Sequence, residues 1–380
     1  MSRGERRASE VRVRRSQHLI WYWRGNHLIL RNYATGAVAV IPLVVCNILD
    51  CCAEWKTTEQ IHRALVFVPR RELRVLIGQL VRRSFLQQSN RPEAAAERAM
   101  KVLEPWNPEA GFFHMATKDV RFWSRQESKR HVSSRLATIP RPVKSYPSLA
   151  RIDLPTPDGP TEFSRVARQR RTWRRFSSVP VTSQELATIL GFSVGVQKWM
   201  RLTPRLEVPL KTSTSGGARH PIECYVVVRD VKGLRSGLYH YSAGSHALTR
   251  LRPGATAAQI RSYLPHSGYF ARASALALFT AVFERQLWRY PYSRAYRAAL
   301  IEAGHVCQMF CLTSTALGLA PFSVMALADS LIERDLGIDG ITETVLYAAG
   351  VGRPPGNTSW APRPRGTLPV RENPHLRPRQ

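Results

Sequence analysis

Arg170-Arg-Thr-Trp-Arg-Arg-Phe176, echoed by Thr212-Ser-Thr-Ser-Gly-Gly-Ala-Arg-His-Pro221, is the part of the sequence on which the fold turns. The first segment sets guanidinium groups around a hydroxyl, so an extended or early-helical backbone aims Arg170, Thr172 and Arg174 at one phosphate. The second offers unhindered backbone amides. Its Ser-Gly-Gly turn lets the chain approach a ligand closely, because glycine has no side chain and tolerates positive φ. Together they point to a phosphorylated cofactor. The bland alternative is compositional: 48 of the 56 basic residues are arginine, so arginine clusters arise by number alone, and a lone basic heptad is more often a solvated face.

Working outward, 380 residues suit two domains, and 44% hydrophobic content is ample for a core. A net charge of +29 would ordinarily point to nucleic acid or an anionic surface. Here the basic residues are spread along the whole chain, which discounts nucleic acid without removing it. The six cysteines form no Cys-x-x-Cys pair and have no histidine cluster at metal spacing, so no metal site is read. Cys224, Cys307 and Cys311 lie in apolar runs, as free thiols in a reducing cytoplasm do. The basic N-terminus leads into no apolar h-region, and the longest apolar run, Ala273 to Phe283, is too short to span a bilayer.

The chain divides into five parts. Residues 1–17 read as a charged, disordered tail. Residues 18–89 alternate short β-rich runs at glycine turns with three helical periods, Val44 to Cys52, Thr58 to Leu65 and Arg71 to Phe85. This resembles a winged-helix or peptide-clasping module. Arg70, Arg71, Arg74, Arg82 and Arg83 would touch phosphates in a nucleic-acid reading, but the wet side of an amphipathic helix explains them more simply. Residues 90–160 are a connector, helical near Glu93 to Leu103, aromatic from Trp106 to Trp123 and proline-rich from Ile139 to Pro160. Residues 161–355 carry a capping box at Thr182 and Glu185, an apolar strand Ile222 to Val228, a hairpin Gly237 to Leu251, a buried strand Ala273 to Phe283, a long helix Tyr296 to Leu317 and a closing strand Val345 to Ala349. In the long helix, Leu300, Gly304, Cys307, Cys311, Ser314 and Leu317 share one narrow face, and Ala303 and Gly304 permit close approach of a second helix. Residues 356–380 are a proline- and arginine-rich tail.

With these pieces in order, the second domain resembles the nitroreductase superfamily, specifically its SagB-type dehydrogenase branch, which includes azoline oxidases that mature ribosomally made peptides. Four signatures carry the resemblance: Arg170 to Phe176; Ser215-Gly-Gly-Ala-Arg-His-Pro221; Gly237-Leu-Tyr-His-Tyr241; and Tyr296 to Gln308 with Glu302-Ala-Gly-His305, followed by Ala316-Leu-Gly-Leu319. It implies an α+β, nitroreductase-like FMN-binding fold, with a central mixed sheet flanked by helices and a small winged-helix-like N-terminal domain. It also implies a homodimer with FMN at the subunit interface and the long helix as the dimer contact. Carried over by position, Arg170, Thr172 and Arg174 hold phosphate and ribityl oxygens, Ser215 and Gly216 line the isoalloxazine, Met325 and Ala326 present backbone amides near the reactive ring nitrogen, and Arg353 returns to the phosphate. Thr172 stands where the family usually has serine. Arg289-Tyr290 stands where azoline oxidases carry Lys-Tyr; arginine stays protonated, so either Tyr290 serves as the base or Arg289 assists it by proximity. His220 either contacts the flavin or caps the strand, His305 is more often hydrogen-bonded structure than catalyst, and Tyr239 and Tyr241 face one side as packing.

The expected function is therefore an FMN oxidoreductase that dehydrogenates a residue of a precursor peptide, with the N-terminal module holding the peptide or a partner enzyme of a modification complex. A generic NAD(P)H-dependent nitroreductase, and a non-catalytic basic peptide- or nucleic-acid-binding protein, are the alternatives.

Overall fold

The computed structural model describes residues 11–134, 161–204, 206–265 and 267–356. The N-terminal module holds β1 (Arg12–Arg15), β2 (Leu19–Arg24), β3 (His27–Asn32), β4 (Val38–Val40), α1 (Val44–Cys51), β5 (Lys56–Thr57), α2 (Thr58–Ala64), α3 (Arg70–Arg82) and β6 (Leu86–Gln88). The connector adds α4 (Ala95–Ala99), a 3-10 turn Met100–Leu103, α5 (Pro108–Ala116) and α6 (Arg125–Ser133). The second half holds α7 (Glu162–Gln169), β7 (Val181–Thr182), α8 (Ser183–Ser193), β8 (Lys198–Thr203), β9 (Leu206–Leu210), β10 (Ile222–Val228), β11 (Val231–Lys232), β12 (Gly237–Ser242), β13 (Ala247–Pro253), α9 (Ala257–Tyr263), β14 (Ala275–Val282), α10 (Phe283–Leu287), α11 (Arg294–Ala316), β15 (Ala320–Val324), α12 (Asp329–Leu336) and β16 (Glu343–Gly352).

Six strands form the central sheet in the order β13-β12-β10-β14-β16-β15. Its middle strands are apolar at nearly every position because both faces are covered. Along β10, Cys224, Val226 and Val228 enter one hydrophobic layer, while Tyr225 and Val227 enter the other. β14 repeats the pattern, with Ala277 and Phe279 on the first face and Leu276 and Leu278 on the second. The two-residue period of a strand thus divides one run between two cores. Helix α11 lies on the first face, and α9 and α12 on the second.

The α+β class is the expected one, with one correction to the sheet: every pairing in it is antiparallel rather than mixed. The β12–β13 hairpin and the antiparallel return of β14 and β16 account for this, and the parallel pairing seen among the described residues is the short β7–β11 pair. A second correction concerns the N-terminus. Residues 12–15, expected to be disordered, form β1 between β5 and β6, with Val13 buried, Arg12 exposed and Arg14 and Arg15 half-buried. Residues 1–10, the strap from 139 to 160 and nearly all of the final tail lie outside the described residues.

The N-terminal module has its own core around Leu30, Ile48, Ile61, Leu73 and Phe85. It is also welded to the second half. Tyr33, Met100, Leu103 and Trp106 belong to the same hydrophobic cluster as β10, β14 and α11. Trp106 meets Phe283 and Tyr296 edge-on, with ring centroids 5.0 and 5.1 Å away. This is the surface that the aromatic connector needs. Polar contacts secure it: Lys118 Nζ donates to Glu333 Oε2 at 2.6 Å and to the Gly340 carbonyl at 2.8 Å.

His114, 2% exposed, completes that junction with Nε2 3.1 Å from the Gly340 carbonyl and Nδ1 3.3 Å from the Tyr296 hydroxyl. A carbonyl can only accept, which assigns the proton to Nε2 and leaves Nδ1 accepting from the phenol. Burial, aided by the Lys118 charge, holds the pKa down to about 4 against the usual 6.5. Between those values the unfolded chain binds a proton that the folded chain refuses, so stability falls as pH drops through the window, by at most about 1.4 kcal/mol per unit. Urea unfolding at pH 7 and pH 5 should show wild type losing about 1–2 kcal/mol more than His114→Gln; equal losses would remove His114 as the cause.

Candidate functional site

β9 delivers the chain to the 212–220 turn, where each hydroxyl has a partner. The Thr212 hydroxyl donates to the Phe192 carbonyl, and Ser213 Oγ donates to Ser193 O at 3.2 Å, so both tie the turn to the end of α8. Thr214 Oγ1 lies 3.1 Å from His305 Nδ1 on α11. Ser215 Oγ accepts the His220 N–H at 2.8 Å and closes the turn. The backbone is left-handed at Gly217 (φ 59°), Ala218 (φ 52°) and His220 (φ 44°). Two of these three are not glycine, so the turn stores strain that its surroundings must hold.

The main restraint is Glu302 on α11, 5% exposed. Its Oε1 accepts the Gly216 N–H at 3.0 Å and the Gln286 amide at 2.9 Å, and its carboxylate also takes the Ser215 hydroxyl. Burial pushes the Glu302 pKa above the usual carboxylate range, while these donors oppose the rise. Gln286 Oε1 is buried with no partner.

Arg289 and Tyr290 lie against this turn. The Gln286 carbonyl accepts both of their backbone N–H groups, at 3.0 and 2.8 Å. A Cβ on Gly217 would sit 2.9 Å from Tyr290 Oη and 3.5 Å from Arg289 Cγ, and one on Gly216 would sit 3.4 Å from Tyr290 Cε2. Sequence reasoning assigned the glycine pair to close approach of a ligand. In the structure the missing side chain of Gly217 makes room for the Tyr290 hydroxyl. Arg219 fastens the pair from outside, donating through Nε to the Gly217 carbonyl at 2.9 Å while its guanidinium lies 4.9 Å from the Trp288 ring.

The arginine heptad forms a second group. Arg170 is the C-cap of α7, and the extended run beyond it is pinned by Trp173 N–H to the Pro321 carbonyl and Ser177 N–H to the Arg353 carbonyl, both 2.9 Å. Arg170 and Thr172 are half-buried and Arg174 is exposed. Among the described residues no carboxylate pairs with Arg170 or Arg174. The hydrogen bond with Cys307 draws the Cys311 pKa down against the effect of burial, and the charge of nearby Arg170 adds to it. Arg353 differs: its Nη2 is held by both Glu185 oxygens, at 3.0 and 2.8 Å, so its charge is already matched. Met325, 73% exposed, and half-buried Ala326 follow β15. The structure therefore brings Ser215, Gly216, Arg289 and Tyr290 together at the Glu302 level of α11. Arg170 lies near Cys311, about 14 Å further along the helix axis, while the Arg174 guanidinium lies 6.0 Å from the Tyr269 ring.

A polar cluster beneath the turn gave no signal in the sequence. Glu223 Oε2 lies 2.9 Å from His240 Nε2, and Arg285 Nη1 reaches both Glu223 and the His220 carbonyl. Burial opposes ionisation of Glu223, but His240 and Arg285 outweigh it and keep the pKa below the usual range. The hydrogen bond to Glu223 raises that of His240. His220, 9% exposed, is held near 4 by burial and by Lys211. Glu223 and His240 sit on the neighbouring strands β10 and β12, where the register brings them together, while Arg285 comes from α10 and His220 from the turn. No group of three metal-ligating side chains occurs among the described residues, and no helix there is long and apolar enough to cross a membrane.

Known proteins fit this arrangement. The nitroreductase family pattern matches residues 167–353. A Methanocaldococcus jannaschii protein, MJ1384, whose name places it among nitroreductases, is 34% identical over 185 residues, covering 49% of this chain and 87% of that protein. The chain belongs to the nitroreductase family. The trifolitoxin-processing protein TfxB of Rhizobium leguminosarum bv. trifolii is 34% identical over 148 residues, which are 38% of this chain and 39% of TfxB. The structure of the E. coli microcin synthetase McbBCD complex with truncated pro-MccB17 bound contains a chain of the same fold, with TM-score 0.50 at 19% identity over 70% of this chain and 100% of that one. That likeness extends beyond the span of the family match.

If Tyr290 packs where a Gly217 side chain would go, Gly217→Ala should cost more than backbone strain alone. Gly318, at φ 69° with open space around it, is the control. Both substitutions should lower stability by about 1 kcal/mol through the left-handed backbone, and Gly217→Ala by a further 1–2 kcal/mol from the clash. Equal losses of melting temperature would show that Tyr290 does not fill that space.

Proposed function

We propose that this protein is an FMN-dependent dehydrogenase acting in the maturation of a ribosomally made peptide. The observation that carries the reading is the interlock of the Ser215–Gly217 turn with Arg289 and Tyr290, in a nitroreductase-family chain similar to a toxin-processing protein. The donor set fits FMN. Arg170 and Arg174 have no carboxylate partner among the described residues, and with the Thr172 hydroxyl they offer charge-assisted donors to a dianionic phosphate. Arg353 supports that group through its backbone bond to Ser177 and its pairing with Glu185, rather than as a free guanidinium. Ser215 and Gly216 would line the isoalloxazine, with Met325 and Ala326 offering backbone amides beside it. When bound, FMN supplies the acceptor for a hydride from a carbon of the peptide residue or heterocycle.

The chain's own residues then handle the proton and the substrate. Arg289 cannot act as a base, because a guanidinium stays protonated at any working pH. Its Cζ lies 6.0 Å from the Tyr290 ring. Tyr290 would take the proton released as the substrate loses hydride by starting as the phenolate and ending as the phenol, the new O–H bond forming at Oη. The N-terminal module holds the precursor peptide or a partner enzyme of the modification complex, and the whole works in the cytoplasm.

Two copies of the chain form the working unit. On α11, Leu300 and Ile301 are exposed, and a Cβ on Gly304 would meet nothing within 4 Å. Ala303, expected beside Gly304 at a helix contact, is buried in the core instead. The outward stripe of Leu300, Ile301 and Gly304 suits a second copy. A second reading, an NAD(P)H-driven nitroreductase, is favoured by the match to MJ1384.

Purified protein should be yellow or become so with FMN. Arg170→Ala and Arg174→Ala should each weaken FMN binding about 10- to 100-fold, as loss of a charge-assisted bond of 1.5–3 kcal/mol requires. Tyr290→Phe should bind FMN normally and lose turnover of a precursor peptide. Protein that stays colourless with FMN overturns the proposal, and rapid flavin bleaching by NADPH alone would favour the nitroreductase reading.

A further inference from the structure

Two segments distant in sequence, the 212–220 turn and the 288–292 loop, meet at the candidate site, and one buried carboxylate touches the supports of both. Glu302 takes the Gly216 N–H and the Ser215 hydroxyl directly. It takes the Gln286 side-chain amide as well, and the Gln286 carbonyl in turn receives the N–H groups of Arg289 and Tyr290. Cofactor turn and proton-handling pair therefore hang from one carboxylate, by direct bonds on one side and through one intermediary on the other. His305, one turn further along α11, adds a contact to Thr214.

We infer that Glu302 is the positioning residue of the site, the group that keeps the Ser215–Gly216 turn and Tyr290 in register. The inference rests on the flavin-dehydrogenase reading for its consequence in catalysis, but not for its structural content. The turn is left-handed at Gly217, Ala218 and His220, so it holds its shape only while its surroundings restrain it. Glu302 supplies that restraint from a 23-residue helix packed across the sheet, a rigid base compared with a loop. Charge matters as well as shape. An ionised carboxylate accepts all three donors, whereas a glutamine at 302 presents one accepting oxygen and an amide that needs acceptors of its own. The orphaned Gln286 Oε1 is an acceptor already in place for such an added donor, so Glu302→Gln should fold while holding the two segments less firmly.

The test compares Glu302→Gln with Glu333→Gln, which removes a carboxylate just as deeply buried but in the connector junction. Hydrogen exchange needs no flavin. In Glu302→Gln the amides of Gly216, Arg289 and Tyr290 should all exchange at least 10-fold faster than in wild type, although the segments lie some 70 residues apart in the chain; in Glu333→Gln they should be unchanged. FMN titration of the same proteins should show at least a 10-fold weaker dissociation constant for Glu302→Gln only, with altered shape of the bound flavin's visible band. Turnover at saturating FMN should fall with little change in KM for a precursor peptide. Exchange confined to Gly216, or FMN affinity reduced equally by both variants, would overturn the inference. If wild type binds no FMN, the flavin reading fails by itself, and coupled exchange at Gly216 and Tyr290 still decides whether Glu302 joins the two segments.

Discussion

Burial of the central sheet on both faces is the constraint from which the architecture follows. β10 and β14 alternate their side chains between two hydrophobic layers, so neither strand has a wet face, and each layer needs its own helical cover. Helix α11 answers this on one side, and α9 with α12 on the other. Chemistry is then confined to the ends of the strands and to the loops at the rim of α11, where backbone leaves the sheet and polar groups can be reached.

The candidate site shows how this confinement works. Ser215 and Gly216 arrive just before β10, and Arg289 and Tyr290 just after α10, so both lie at one end of the same sheet. Their mutual position depends on glycine at 217, since a Cβ there would crowd the Tyr290 hydroxyl. The buried carboxylate of Glu302 would be costly alone. Three donors offset that cost and in doing so define the shape of the turn.

Much of the fold was legible in the sequence because it was written in periodicity. The apolar run Ile222 to Val228, the capping box at Thr182 and Glu185, and the hairpin around Ser242 to Ser245 match their elements closely. The antiparallel sheet was not legible, since apolar runs announce burial but not direction. The strand at Arg12–Arg15 was hidden because only Val13 turns inward while arginines flank it. At the site, Arg289 and Tyr290 were found through family position, and the structure sets them against Ser215 and Gly216. Glu302 and Gln286 were passed over, because a single acidic or amide residue in a helix looks like an ordinary surface group until its partners are known. The pairing of Arg353 with Glu185 was invisible for the same reason.

The shared core of the connector and the sheet has a consequence for how such a chain can be divided. Tyr33, Met100, Leu103 and Trp106 cover apolar surface contributed by Phe283, Tyr296 and the inner face of the sheet. A reductase half cut free at the proline-rich strap would leave that surface bare, and bare apolar surface invites aggregation. The amino-terminal third is thus a covering wall of the oxidoreductase body as well as a module with a core of its own, and the two parts must be inherited together.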